Sequence, residues 1–223
     1  MADATVLTNT TSQSNQPGQS GGRRSLGRAE FLLFSIVIFV GKSYLLVRLP
    51  YRSVDTNSLL TAALLLMFYC YFRFRYGITP PVIVILCLAA AVGVDVIGNY
   101  LQLYGKPIIG SVQYDEFSHF VGSACSLAPA MWLLRATTNR FGLRLPLDLA
   151  AFLSVTITFA FCAYYEILEL WDELYFGGQR LWTPRDSAND LQWDLTGIVA
   201  SALVSVLIFR LAERPKLQET AAA

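Results

Sequence analysis

Long apolar runs, broken at intervals by short polar clusters, fill the chain from about residue 30 onward. Six of them predict membrane-spanning helices, at about 30–49, 57–74, 81–103, 116–135, 147–171 and 190–212. At about 1.5 Å per residue, a run of about 20 residues crosses a hydrocarbon core about 30 Å thick. The expected fold is therefore all-α: a polytopic membrane protein with six transmembrane helices in one bundle over residues 28–214. Residues 1–27 are rich in Ser, Thr, Asn, Gln and Gly, with no apolar core ahead of Arg23 and Arg24, so they read as a disordered tail and not as a signal peptide. Residues 215–223 read as a second, short disordered tail. Between the fifth and sixth runs, 172–189 predicts the longest loop, with turns at Gly177-Gly178 and Pro184. Ser187 is the expected N-cap of the last helix, with Asp190 at its third helical position. No internal repeat is visible, which counts against a secondary transporter of the paired-half kind.

Composition agrees with this pattern. Of 223 residues 54% are hydrophobic and 15% charged, and the mean hydropathy is +0.46, above what a soluble domain carries. A formal net charge of +1, with no basic patch interleaved with aromatics, excludes nucleic acid as a partner. The lipid bilayer is the expected surrounding. The four cysteines, Cys70, Cys87, Cys125 and Cys162, each stand alone in an apolar run, without the spacing of a zinc or iron–sulfur site, and read as small packing residues.

Six spans put both termini on one side of the membrane. That side would hold Arg23, Arg24, Arg28, Arg73, Arg75, Arg135, Arg140, Arg144, Arg210, Arg214 and Lys216, eleven of the 17 basic residues. The positive-inside rule then makes both termini cytoplasmic. Tyr100, Tyr104, Tyr114, Trp171, Tyr175, Trp182 and Trp193 would belt the opposite, outer interface.

Within that topology, acidic pairs converge at one level. Asp95 and Asn99, Asp115 and His119, and Asp190 and Asp194 are each four residues apart, and Glu166 and Glu169 three, so each pair shares a helix face. An Asp at the centre of a membrane helix costs roughly 2.5–3.5 kcal/mol, less near the interface, so such groups pair, bind a ligand or line a cavity. Up to six carboxylates aimed at a common axis cannot all stay ionised at low dielectric without cations or shared protons. Three compensators present themselves. One is a divalent metal, of the kind of magnesium, manganese or zinc, on Asp115, His119, Glu166, Glu169, Asp190 and Asp194. Another is a protonated carboxylate pair working as general acid and base. The third is internal cations, for which Lys42, Arg180 and Arg185 are available. His119 is the sole histidine, and Gly122 on its face would let a helix or ligand approach. Asp172, Glu173 and Asp186 read as solvated surface groups.

The stretches Tyr114-Asp115-Glu116-Phe117-Ser118-His119-Phe120, Tyr164-Tyr165-Glu166-Ile167-Leu168-Glu169 and Asp190-Leu191-Gln192-Trp193-Asp194, with Gly197, resemble the YjdF-like family of bacterial inner-membrane proteins over roughly residues 30–212. The ordered set is more loosely similar to the VanZ-like group, linked to glycopeptide resistance, which usually has Asp-Lys before the His and Asn where this chain has Asp194. The resemblance implies an inner-membrane protein with matching polar positions at Asp115, His119, Glu166, Asp190 and Asp194; it supplies no reaction.

Three functions fit the residues. In the first, an enzyme acts on a lipid or lipid-linked headgroup arriving from the outer leaflet. His119 and Asp194 would serve as ligands or general base, Glu166 as acid or base, and one divalent ion would assist. The second is proton- or cation-coupled transport, or binding of a cationic ligand. The third is a structural or accessory envelope role, with polar pairs fastening helices at roughly 0.6–2 kcal/mol each.

Overall fold

The computed structural model describes residues 29, 32, 33, 35, 36, 65–176 and 184–221. Helix α1 covers 65–76. It is followed by α2 (Val82–Tyr100), strands β1 (Pro107–Ile109) and β2 (Val112–Gln113), α3 (Tyr114–Arg140), α4 (Leu147–Phe176) and α5 (Pro184–Ala221). Four of these, α2 to α5, are long and apolar enough to cross a membrane. They match the predicted third to sixth spans. Of the first predicted span only residues 32, 33, 35 and 36 are described; Lys42 and the N-terminal tail lie outside the described residues, and α1 accounts for the end of the second. Six transmembrane helices are thus not what the described residues contain; they contain four such helices and α1.

Three features differ from the sequence-based expectation. The antiparallel hairpin β1–β2 pairs Pro107 with Gln113 and Ile109 with Val112, too short a pairing to produce a readable alternation of polar and apolar residues. The expected loop 172–189 is largely helical, because α4 runs on to Phe176 and α5 starts at Pro184; 177–183, with Arg180 and Trp182, fall outside the described residues. Ser187 consequently lies inside the first turn of α5 and does not cap it. Pro at the first helical position, where no N–H is needed, marks the true start.

α3 is the central helix, in contact with α2, α4 and α5. α3 and α5 run parallel in a fixed register. At one end Asn189 Nδ2 donates to Glu116 Oε1 at 3.1 Å; midway Leu127 meets Ile198 and Ala202 in a closed apolar cluster with Val155, Phe159 and Cys162; at the far end the Arg135 guanidinium lies 4.7 Å from the centroid of the Phe209 ring. Gly197 permits that register, since a Cβ there would collide with the Phe120 carbonyl oxygen and Ser123 Oγ. The α3–α4 turn is closed by Gly142 at φ +74°, where Gly142 N donates to Asn139 O at 3.1 Å and Leu143 N to Thr138 O at 2.9 Å. Glycine tolerates that left-handed backbone at low cost, which returns α4 along α3.

Burial is inverted relative to a soluble bundle. Leu86, Phe152, Phe161, Leu203 and Leu207 are exposed, whereas Ser154, Thr158, Glu166, Asp172, Asp190 and Asp194 are buried. Apolar side chains facing outward and polar ones facing helix partners are what a hydrocarbon surround favours.

Candidate functional site

The site is built at the end where α3 and α5 begin. Gln113 N donates to Glu116 Oε2 at 2.9 Å, half of a reciprocal capping box that fixes the first turn of α3. The same Glu116 receives Asn189, so a single carboxylate sets the starts of α3 and α5 together. From that anchor Asp115 and His119 project from α3, and Asp190 and Asp194 from α5, on facing stripes one turn apart.

A second set of contacts braces α2. Tyr114 Oη donates to Val94 O at 2.6 Å, and Asp95 Oδ1 accepts from Asn99 Nδ2 and from Tyr104 Oη, both at 2.9 Å. Burial, and then the neighbouring Asp95 charge, push the Tyr104 phenol far above its ordinary range, so it stays protonated and donating at any accessible pH. Tyr104 and Tyr114 meet edge to face with ring centroids 5.5 Å apart, over Gly98, which leaves room for nothing larger. Both tyrosines therefore point inward as braces and do not belong to the interfacial belt expected of them; Tyr100, Trp171 and Tyr175 are exposed as a belt requires. Asp95 and Asn99 serve this brace and lie outside the acidic clusters around His119.

His119 sits among three carboxylates. Its Nε2 is 3.7 Å from Asp115 Oδ1 and 3.9 Å from Asp190 Oδ2, and its Nδ1 is 3.3 Å from Asp194 Oδ1. Glu166, reaching in from α4, joins His119 and Asp194 so that one ligand atom from each lies within 4.8 Å of the others, as one from each of Asp115, His119 and Asp190 also does. Of the six expected ligands, these five converge. Glu169, half-buried on the flank of α4, belongs to neither set. Gly122 has only Ala91 O and Val94 near its Cβ position, 3.9 Å away, and so admits α2 and not a ligand.

The electrostatics are one-sided. Four carboxylates face one imidazole, and among the described residues no Lys or Arg forms an ion pair with any of them. Lys42 and Arg180, expected as internal cations, lie outside the described residues, and Arg185 is exposed. Among the described residues neither oxygen of Glu166 nor Oδ1 of Asp190 meets a hydrogen-bond partner, the Ser187 hydroxyl approaching Glu166 without hydrogen-bond geometry, and the two residues are only 6% and 5% exposed. A buried carboxylate oxygen without a donor costs several kcal/mol unless it is protonated or meets a cation.

The distances admit a metal as that cation. Ligand atoms about 2.0–2.2 Å from a tetrahedral ion lie about 3.3–3.6 Å from one another; the 3.3 Å Asp194 contact falls in that range, and the 3.7 and 3.9 Å contacts would have to close by a few tenths of an ångström. One imidazole with several carboxylates suits manganese or zinc better than magnesium. A protonated imidazole fits the same distances, since it pairs with carboxylates across 3.3–3.9 Å, and shared protons on the carboxylates would then supply the remaining compensation.

Several participants were not apparent in the residue pattern. Ser123, one turn beyond His119, lies with Oγ 3.0 Å from Asp194 O and 3.2 Å from Phe120 O, pinning α3 to α5 beneath the site; its only signal was the four-residue step from His119. Glu116 was legible as the third residue after Gln113, but Gln is not a favoured cap. Asp172, expected to be solvated, is fully buried, because α4 continues to Phe176, about a turn and a half past the apolar run, and carries Asp172 on the same face as Leu168.

A family model described as "Predicted membrane protein (DUF2238)" matches residues 30–214, a span that includes every residue of this site. The YjdF-like resemblance is to that family, while the VanZ-like likeness is not shown by any comparison. No curated protein matches the chain, and neither does any solved structure.

Proposed function

The chain belongs to the DUF2238 family of predicted membrane proteins, and on that premise we propose that it is a cation-binding membrane protein whose Asp115–His119–Glu166–Asp190–Asp194 cluster holds one divalent metal ion. The observation that carries this reading is the pair of unpartnered, buried carboxylates, Glu166 and Asp190, beside an imidazole with no cationic side chain of the described residues to compensate them. A divalent ion supplies the missing charge and accepts the orphaned lone pairs.

In this reading residues 30–49 and 57–74 provide the remaining two of six spans. The protein sits in the cell (inner) membrane with both termini cytoplasmic, as the eleven basic residues on that side support, and the cluster faces the outer leaflet. A metal at that level suits work on an anionic lipid or lipid-linked headgroup. The ion would be held by His119 either with Asp194 and Glu166 or with Asp115 and Asp190, and a carboxylate of the set left free would serve as general base. Asp115, whose side chain is 28% exposed, marks the open edge where a headgroup oxygen can approach.

A second use of the same site, cation- or proton-coupled transport or binding, rests on the same buried carboxylates beside His119. The experiment that separates the two uses compares phosphate release from a lipid-linked diphosphate in detergent with manganese or zinc flux into proteoliposomes. Turnover that needs the metal and is lost in Glu166→Gln supports the enzyme. Flux without turnover replaces it by the transport reading, and a protein that binds no metal rejects the metal-assisted enzyme and metal transport alike, leaving proton coupling.

A further inference from the structure

The two ring nitrogens of His119 face different carboxylates. On the Nε2 edge are Asp115 at 3.7 Å and Asp190 at 3.9 Å; on the Nδ1 edge is Asp194 at 3.3 Å, and Glu166 from α4 has an oxygen within 4.8 Å of both the imidazole and Asp194. Of the four carboxylates only Asp115, on the Nε2 edge, is accessible: its side chain is 28% exposed, whereas Asp190, Asp194 and Glu166 are 5%, 4% and 6% exposed. A neutral imidazole has one lone pair and one N–H, so it can ligate through one nitrogen only, while the other donates to an acceptor. Each edge offers both possibilities: two carboxylates near one nitrogen to complete an ion's ligands, and a carboxylate at the other to accept the proton.

Building on the cation-binding reading, we propose that the cluster offers two overlapping positions for a single divalent ion, an entry position on Asp115, His119 Nε2 and Asp190 and an enclosed position on His119 Nδ1, Asp194 and Glu166. In the entry position Nδ1–H donates to Asp194. In the enclosed position Nε2–H donates to Asp115 or Asp190. An ion moving inward displaces the proton from Nδ1, and the vacated Nε2 takes up a proton, so the ring changes tautomer with no net change in protonation. The shared nitrogen pair forbids simultaneous occupation unless the ring loses both protons, so the stoichiometry is one. Ser123, tied to the backbone of Asp194, and the apolar cluster of Leu127, Ile198 and Ala202 beneath it close the enclosed position from below.

Because the chain has a single histidine, 15N-histidine labelling gives one pair of ring-nitrogen signals, and 113Cd as the probe ion reports by its coupling which nitrogen binds. The full-length protein in detergent is titrated beside two double variants, Glu166→Gln/Asp194→Asn and Asp115→Asn/Asp190→Asn. Both variants are expected to bind one ion, about 10–100-fold more weakly than the wild type, the first through Nε2 and the second through Nδ1. The inference is overturned if one double variant binds like wild type and the other not at all, if both bind through the same nitrogen, or if the wild type binds two ions. A wild type that binds no ion rejects the cation reading itself, and this inference with it, so the two failures are distinct. Where a double variant does not elute as a single species, Asp115→Asn and Glu166→Gln taken singly give the same nitrogen readout.

Discussion

At Gly197 the α5 backbone comes so close to α3 that a methyl group would overlap the Phe120 carbonyl oxygen and Ser123 Oγ. Gly197→Ala is therefore expected to force the helices apart at a cost of about 1–3 kcal/mol, seen as a lower midpoint of thermal unfolding in detergent together with weaker metal binding. An unchanged midpoint would mean that the α3–α5 register is looser than described. Tyr104→Phe tests the α2 brace separately from the site. Removing the phenol leaves Asp95 short of a donor it now has at 2.9 Å, a loss of about 1–3 kcal/mol, and metal affinity is expected to stay within twofold of wild type when measured by calorimetry. At this scale the sequence was informative where chemistry is sparse: one histidine with Asp115 four residues before it was enough to mark α3. It was misleading at Asp172, because an acid just beyond an apolar run looks solvated until the helix is seen to continue.

At the scale of elements, the helices that carry the site were readable because lipid demands long apolar runs, and four of the six runs map onto α2, α3, α4 and α5. Their ends were less readable, because an end is set by capping and not by hydropathy. Glu116 shows why that matters, since it closes the capping box of α3 and also accepts Asn189 of α5. Glu116→Ala should cost about 0.5–2 kcal/mol through the lost cap and should also lower metal affinity, because the turns bearing Asp115 and Asp190 lose their common anchor. Metal affinity measured beside stability checks this; a stability loss with unchanged affinity would confine Glu116 to capping. The β1–β2 hairpin was invisible in the pattern, five strand residues being too few to compete with the apolar runs on either side.

Across the whole molecule, charge is separated along the bundle: acids gather where α3 and α5 begin, and Arg135, Arg140, Arg144 and Arg210 lie toward the other end. Single cysteines placed at Gln179 and Lys216, in a chain lacking Cys70, Cys87, Cys125 and Cys162, test the resulting orientation. A membrane-impermeant thiol reagent applied to intact spheroplasts is expected to modify the first and not the second; modification of both from one side would reject the proposed topology. A bound ion should also stabilise the bundle by about 2.7 kcal/mol at a hundredfold excess over its dissociation constant. Chelation should then lower the thermal midpoint of the wild type but not of His119→Ala. Affinity should fall with falling pH, because protons compete with the metal for the imidazole and the carboxylates.

The most direct measurement is the metal content of detergent-purified protein, prepared without chelators, by elemental mass spectrometry beside His119→Ala and Asp194→Asn. One equivalent of manganese or zinc per wild-type chain, much reduced in both variants while they remain folded, is the predicted result. A correctly folded wild type that carries no metal and takes none up on addition of either ion would contradict it, and would leave shared protons to hold Glu166, Asp190 and Asp194 together.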